Sequence, residues 1–316
     1  MSISNNIFHA KVLLFGEYSI LLNSNGLTIP YSHFNGSLSF IKKDSYTDLN
    51  FAHNSNEHLK LYAKYLDENA TDIINTRTFI KDVENGLYFE SSIPEGYGLG
   101  SSGALVAAIY KEYGINPIKS KAGLTNEETQ ELKKHFSKLE SFFHGKSSGI
   151  DPLICYLNHP LFIEDQQNIQ SIGISRKNIE SDDAVFIVNT NQVGKTAPLV
   201  DLFMQKCLNP SFSKLLKEEL IPTTNKCIQS LLSGDLNHFF KNVKQLSKFQ
   251  LNYLKEMIPS EFIQIWEKGL KQDDYLLKLC GSGGGGYLLG FTRNYSKVKK
   301  KLSAKGLEVI PVYREF

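Results

Sequence analysis

Leu132, Phe136, Leu139 and Phe143 recur at intervals of four, three and four, which is one apolar stripe of an amphipathic helix. Thr125 followed by Glu128 has the form of a capping box and predicts where that helix begins. His144-Gly145 predicts where it stops. Upstream, apolar runs predict strands at residues 11–15, at several places between 27 and 51 (alternation is clearest over 37–41), at 78–80 and at 87–93. A polar helix is predicted over roughly 56–66, and a small-residue helix runs from 104 towards Gly114. Strand pieces follow at 161–163 and 171–174, and 184–188 reads as a fully buried strand. Residues 196–271 are mainly helical, with breaks near Pro210, Pro222 and Gly234. Strands at 276–280 and 287–291, a helix at 297–302 and a strand at 307–312 complete the chain. The class is α+β, with residues 1–180 as one domain and 181–316 as an α/β sandwich.

The predicted strand 87–93 and the helix after it flank Pro94, Gly96, Gly98, Leu99, Gly100, Ser101, Ser102 and Gly103. Glycines let the backbone turn tightly and bring successive N–H groups up to a ligand. The helix start adds unpaired donors and the positive end of the dipole, which suits an anion and above all a polyphosphate. Two hydroxyls there are hard oxygen donors for a metal ion. The spacing is not that of a P-loop, since no Gly-Lys-Ser/Thr follows, and a plain turn is the competing reading.

A chain of 316 residues buries a full core. The net charge of +2 argues against a general nucleic-acid binder. Cys155, Cys207, Cys227 and Cys280 are scattered without a CxxC pair and read as reduced thiols. No apolar run approaches a membrane span and the start lacks a signal-peptide core, so the expected location is cytoplasmic and no membrane partner is expected.

Four charges stand out. Lys11 abuts a strand that should be buried and either snorkels at its edge or serves a site. Glu17, after Gly16, is an ordinary turn carboxylate or a ligand contact. Glu140 lies beside the apolar stripe of its helix, at the rim of the core, where it is either solvated or held for a partner or a metal. Asp151 precedes Pro152, which favours a first helical turn and makes Asp151 the predicted N-cap. An aspartate so placed is also able to accept a proton.

Lys11-Val-Leu-Leu-Phe-Gly-Glu-Tyr18, the stretch from Pro94 to Gly103 and Lys278-Leu-Cys-Gly-Ser-Gly-Gly-Gly-Gly286 together resemble the three motifs of the GHMP small-molecule kinases, in the right order. Glu140 followed by His144-Gly-Lys-Ser-Ser148-Gly-Ile-Asp151 is most similar to the mevalonate kinase pattern. The resemblance implies a two-domain fold, with an N-terminal domain like ribosomal protein S5 and a ferredoxin-like C-terminal domain. It implies ATP and Mg²⁺ as cofactors, with ATP on Pro94, Gly96, Gly98, Leu99, Gly100, Ser101, Ser102 and Gly103. Asp151 would be the catalytic base with Lys11 beside it, and Ser102 and Glu140 would hold Mg²⁺. Glu17, Tyr18, His144, Ser148, Lys195, Thr196, Gly281, Gly283 and Gly284 would face a small hydroxy acid, mevalonate by preference. A monomer or homodimer is implied. The chain departs from the pattern in three places. Phe8-His9-Ala10 replaces Ala-Pro-Gly, Tyr18 replaces a histidine, and Ser147 replaces a proline. Tyr18 is shared with many phosphomevalonate kinases, which keeps that activity open, as does the possibility of a GHMP-fold protein that only binds.

Overall fold

The computed structural model of the chain describes residues 6–42, 47–121, 123–165, 167–174, 181–194 and 196–314. The chain divides into two units: Met1–Lys11, Pro30–Pro94 and Gly100–His159 form the first, and Val12–Ile29, Glu95–Leu99 and Pro160–Phe316 the second. Strands β1 (Phe8–Phe15) and β2 (Gly26–Phe40) contribute residues to both.

In the first unit the end of β2 pairs antiparallel with β3 (Leu87–Ser91), Gly36 opposite Ser91 and Phe40 opposite Leu87. Helix α1 (Leu49–Asn69) is longer than residues 56–66, because Asp48 accepts the N–H of Phe51 and caps it early. Residues 78–80 are helical rather than extended. They lie in α2 (Thr76–Glu84), where Asn75 caps the first turn and Thr76, Phe79 and Val83 are buried at helical spacing. Cap and periodicity together outweigh three residues of high strand propensity.

Helix α3 (Ser101–Tyr113) packs against α5 (Ile150–Leu157), and α4 (Asn126–His144) opens with the capping box expected at Thr125 and Glu128. Leu132, Phe136 and Leu139 are fully buried, and Phe136 meets the ring of Tyr110 at 5.0 Å. Phe143, the last member of the stripe, is at the surface against Tyr62 and Phe142.

In the second unit Gly26–Thr28 pairs with β4 (Leu161–Ile163), which pairs with β5 (Ile169–Ser171). This last strand comes two residues earlier than expected, because the Asp165 side chain accepts the N–H groups of Gln167 and Asn168 and turns the chain back at once. Strands β6 (Ala184–Asn189), β7 (Leu276–Leu279), β8 (Tyr287–Thr292) and β9 (Val309–Arg314) form an antiparallel sheet in the order β7-β8-β6-β9. That is the order of a ferredoxin-like split βαβ unit.

Helices α6 (Thr196–Cys207), α7 (Pro210–Leu215), α8 (Ile221–Ser233), α9 (Leu236–Tyr253) and α10 (Ser260–Gln272) lie between β6 and β7, and α11 (Tyr295–Ser303) between β8 and β9. No break occurs at Pro222. A π-helical turn over Leu216–Leu220 joins α7 to α8 and accommodates a proline that has no N–H to donate. The core brings Phe15 against Phe291 at 5.6 Å and Phe239 at 6.0 Å, while Trp266 donates its indole N–H to Ser247 at 2.8 Å.

Within this unit Lys278 and Glu17 form an ion pair whose side chains are 0% and 1% exposed. Lys278 also donates to the carbonyl of Leu279 at 2.7 Å and lies over the ring of Phe15. A buried pair of this kind gains little over an apolar pair of equal volume, but losing one partner strands the other charge. Lys278→Met is therefore expected to cost about 3–5 kcal/mol in urea unfolding. The double variant Lys278→Met/Glu17→Gln is expected to recover most of that. Equal loss in single and double variants would show that the two charges do not depend on each other.

Candidate active site

Helix α3 starts at Gly100, whose φ of 77° lies in the left-handed region, and no side chain caps it. A Cβ on Gly100 would stand 2.8 Å from Cγ of Lys11, so glycine is needed both for the turn and for the passage of that lysine. Ser102, in the first turn, donates its hydroxyl to Oε1 of Glu140 at 3.0 Å and lies 3.1 Å from Nε2 of His144. Glu140 and His144 are one turn apart on α4, so a single helix face supplies both.

Lys11 is only 7% exposed along its side chain, and its ammonium lies 2.8 Å from Oδ2 of Asp151, which is 40% exposed. Lys11 thus serves an ion pair rather than snorkelling at the strand edge. Asp151 is not an N-cap. Helix α5 begins at Ile150 and is capped by Gly149, in the left-handed region, which leaves the Asp151 side chain in the first turn and turned to Lys11.

Glu140 is 3% exposed, so it is not a solvated glutamate. Burial, and then the charge of Asp151, push its carboxyl up to about 7, while hydroxyl donation from Ser147 and Ser102 and the charge of Lys11 pull the other way. Ser147, which the motifs did not single out for a role, donates its hydroxyl to Oε2. The only trace in the sequence was a hydroxyl residue standing where the resembled pattern has proline. Ser148 is exposed, with its Oγ 3.4 Å from the Ile150 N–H. Cys155 is buried beside this cluster, its thiol pushed well up by burial and directed to the carbonyl of Gly100.

The second unit holds a separate set of the expected residues. Tyr18 has a φ of 62°, a conformation costly for a bulky side chain. Its ring packs on Phe203 at 4.6 Å and its hydroxyl donates to the carbonyl of Ser282 at 2.5 Å. Glu17 beside it is turned inward to Lys278, the first residue of the third motif, to which the sequence assigned no role of its own. The stretch from Gly281 to Gly286 is knitted to its surroundings: Gly284 N–H donates to Met257 at 2.6 Å, and Thr190 donates to the carbonyl of Gly286 at 2.7 Å. Gly96 accepts from Gly194 at 3.2 Å, and Gly98 lies against the carbonyl of Cys280. Thr196 is the first residue of α6. Lys195 and the side chain of Thr196 lie outside the described residues.

The family description "GHMP kinases N terminal domain" matches residues 59–159. No curated protein sequence matches the chain. Among solved structures, L. major mevalonate kinase in complex with R-mevalonate is 18% identical with a TM-score of 0.66, covering 99% of this chain and 97% of that one. Streptococcus pneumoniae phosphomevalonate kinase in complex with phosphomevalonate and AMPPNP is 16% identical with a TM-score of 0.64, over 98% of this chain and all of that one. Lactococcus lactis galactokinase complexed with galactose is 13% identical with a TM-score of 0.62, over 98% and 92%. Residues 59–159 thus match the model of the GHMP kinase N-terminal domain, and over nearly its whole length the chain shares the fold of these solved kinases.

Proposed function

We propose that the chain is an ATP-dependent kinase that phosphorylates the primary hydroxyl of mevalonate. The observation that carries this reading is the Lys11–Asp151 pair at 2.8 Å, in the same unit as the Ser102–Glu140 contact at the start of α3. Phosphoryl transfer asks the protein to position groups and to neutralise charge, with little covalent chemistry of its own. Asp151, half-exposed, orients the acceptor hydroxyl and takes its proton at a carboxylate oxygen. The ammonium of Lys11, 2.8 Å from Oδ2, holds that carboxylate in place by a charge-assisted contact. The uncapped start of α3, with its free donors and positive dipole end, receives the nucleotide phosphates.

Magnesium fits the Ser102–Glu140 contact. Both donors are hard oxygens, and the Glu140 carboxyl, lifted by burial, lacks a full counter-charge. Ser102 and Glu140 would hold the ion, which would supply positive charge against the charge that develops on the transferred phosphoryl group.

For the acceptor, the candidate cations in the loops named above are Lys146, which is exposed, and Lys195, and neither is an arginine. A phosphate on the acceptor needs clustered cations or donors to replace its water, best supplied by a bidentate arginine. Mevalonate carries only its single carboxylate charge, so its demand for cations is smaller.

Three outcomes test the reading. Asp151→Asn is expected to lower turnover at least about a hundredfold, with MgATP affinity and unfolding midpoint close to wild type. Turnover that survives the change removes Asp151 as the base. In a coupled assay of ADP release, mevalonate is expected to exceed 5-phosphomevalonate at least about tenfold in kcat/KM. The reverse preference makes the chain a phosphomevalonate kinase, and release with neither removes both acceptors.

The third concerns pH. Folding raises the Glu140 carboxyl from 4.5 to about 7, so the folded state holds a proton there that the unfolded state gives up earlier. The stability this contributes is full below about pH 4.5 and is lost as pH rises to about 7. Without divalent cations, wild type is therefore expected to lose about 3 kcal/mol relative to Glu140→Gln between pH 4.5 and 8. Chemical unfolding at a series of pH values reads the difference. A gap independent of pH contradicts a buried, raised carboxyl.

A further inference from the structure

We propose that Ser147 is a positioning residue: its hydroxyl fixes the Glu140 carboxylate in the orientation that receives a divalent cation. The inference rests on the metal-binding role proposed for Glu140 and Ser102.

Ser147 Oγ donates to Oε2 of Glu140 and accepts the N–H of Gly149 at 3.0 Å. Its carbonyl accepts the hydroxyl of Ser137 at 2.6 Å. Gly149, two residues on, lies against the carbonyl of Lys133 so closely that a Cβ would stand 2.2 Å from it. Lys133, Ser137 and Glu140 follow one another along one face of α4. The loop from Ser147 to Gly149 is therefore laid along that face by successive attachments, and it leads directly into α5 and Asp151.

The two hydroxyls divide the carboxylate between them, Ser147 on Oε2 and Ser102 on Oε1. The last torsion of a glutamate has a broad, shallow profile, so hydrogen bonds decide how its plane lies. At 3% exposure water is poorly placed to substitute for a lost hydroxyl. Removing Ser147 frees Oε2 and lets the plane turn, which takes Oε1 out of register with Ser102. The proline of the resembled pattern has no hydroxyl, so this contact belongs to the chain's own sequence.

The test is the affinity of Mn²⁺ for the complex of the full chain with AMPPNP, read by the electron paramagnetic resonance of free Mn²⁺. Wild type, Ser147→Ala, Ser147→Thr and Glu140→Gln are compared. Ser147→Ala is expected to bind Mn²⁺ about tenfold more weakly, the usual scale for losing a partner that orients a metal ligand. Metal-free AMPPNP affinity is expected to stay unchanged, and Ser147→Thr, which restores the hydroxyl, to return to near wild type. If Ser147→Ala does not fold, Ser147→Cys replaces it, with similar shape and a weak donor. Loss in Glu140→Gln without loss in Ser147→Ala overturns the role of Ser147 alone. Unchanged affinity in both variants overturns the metal assignment, and this inference with it. Equal weakness in Ser147→Ala and Ser147→Thr overturns it too, since the hydroxyl then does nothing.

Discussion

The starts of α3 and α5 approach so closely that no side chain fits between them. A Cβ on Gly103 would stand 2.8 Å from the carbonyl carbon of Asp151 and 2.9 Å from the nitrogen of Pro152. Glycine removes the obstacle on one helix. Proline contributes from the other, because its nitrogen carries no hydrogen that the approach could strand. Ser102 is the residue before Gly103 and Asp151 the residue before Pro152, so this contact fixes the spacing of the two side chains to which chemistry is assigned. It also sets the positive ends of two helix dipoles side by side, a place where an anion is favoured before any side chain is counted.

Charge within the same unit is unbalanced in a definite way. Lys11 has its ammonium 2.8 Å from Asp151, and its influence on Glu140 is smaller than that of burial, of the Asp151 charge or of either hydroxyl. Glu140 is thus held by neutral donors in a place where ionisation is costly. Two hydroxyls ease that cost but do not remove it, as a carboxyl near 7 indicates. A buried carboxylate stabilised by dipoles rather than by a fixed cation is ready for a mobile one. The second unit shows the opposite arrangement, with Glu17 closed off against Lys278 and no such demand left over.

Local chemistry made some elements readable and tertiary contact decided others. The α4 start was legible because a capping box is satisfied within four residues, whatever surrounds it. Lys11, Ser102, Glu140, His144 and Asp151 were legible as a set through motif order, and the first unit brings them together. Residues 78–80 misled, since strand propensity is visible in a short window while burial of Phe79 and Val83 is not. Pro222 misled because a π turn, which has no sequence signature, absorbs it. Asp151 looked like a cap because proline marks the first turn without saying at which of its positions it stands. Ser147 was invisible for a similar reason: a serine in a polar loop gives no sign that its hydroxyl reaches back to a carboxylate on the preceding helix.

Tyr18 was the main support for a phosphorylated acceptor, and its surroundings bear on that. A phenol has one proton to donate, and here it is donated to the carbonyl of Ser282. Burial, with the charge of Glu17 adding to it, raises the phenol so far that it stays protonated at any ordinary pH. What remains of the hydroxyl is lone pairs, which offer a phosphate no donor and repel its oxygens. The ring is held by Phe203, and the backbone bears a left-handed φ that an aromatic residue adopts only when its contacts compel it. A side chain so constrained is suited to bracing the turn at Ser282 and poorly suited to gripping a phosphate on the acceptor. Sharing a tyrosine with phosphomevalonate kinases is therefore weak ground for sharing their acceptor. The discrimination has to come from cations that approach the acceptor, and Tyr18 supplies none.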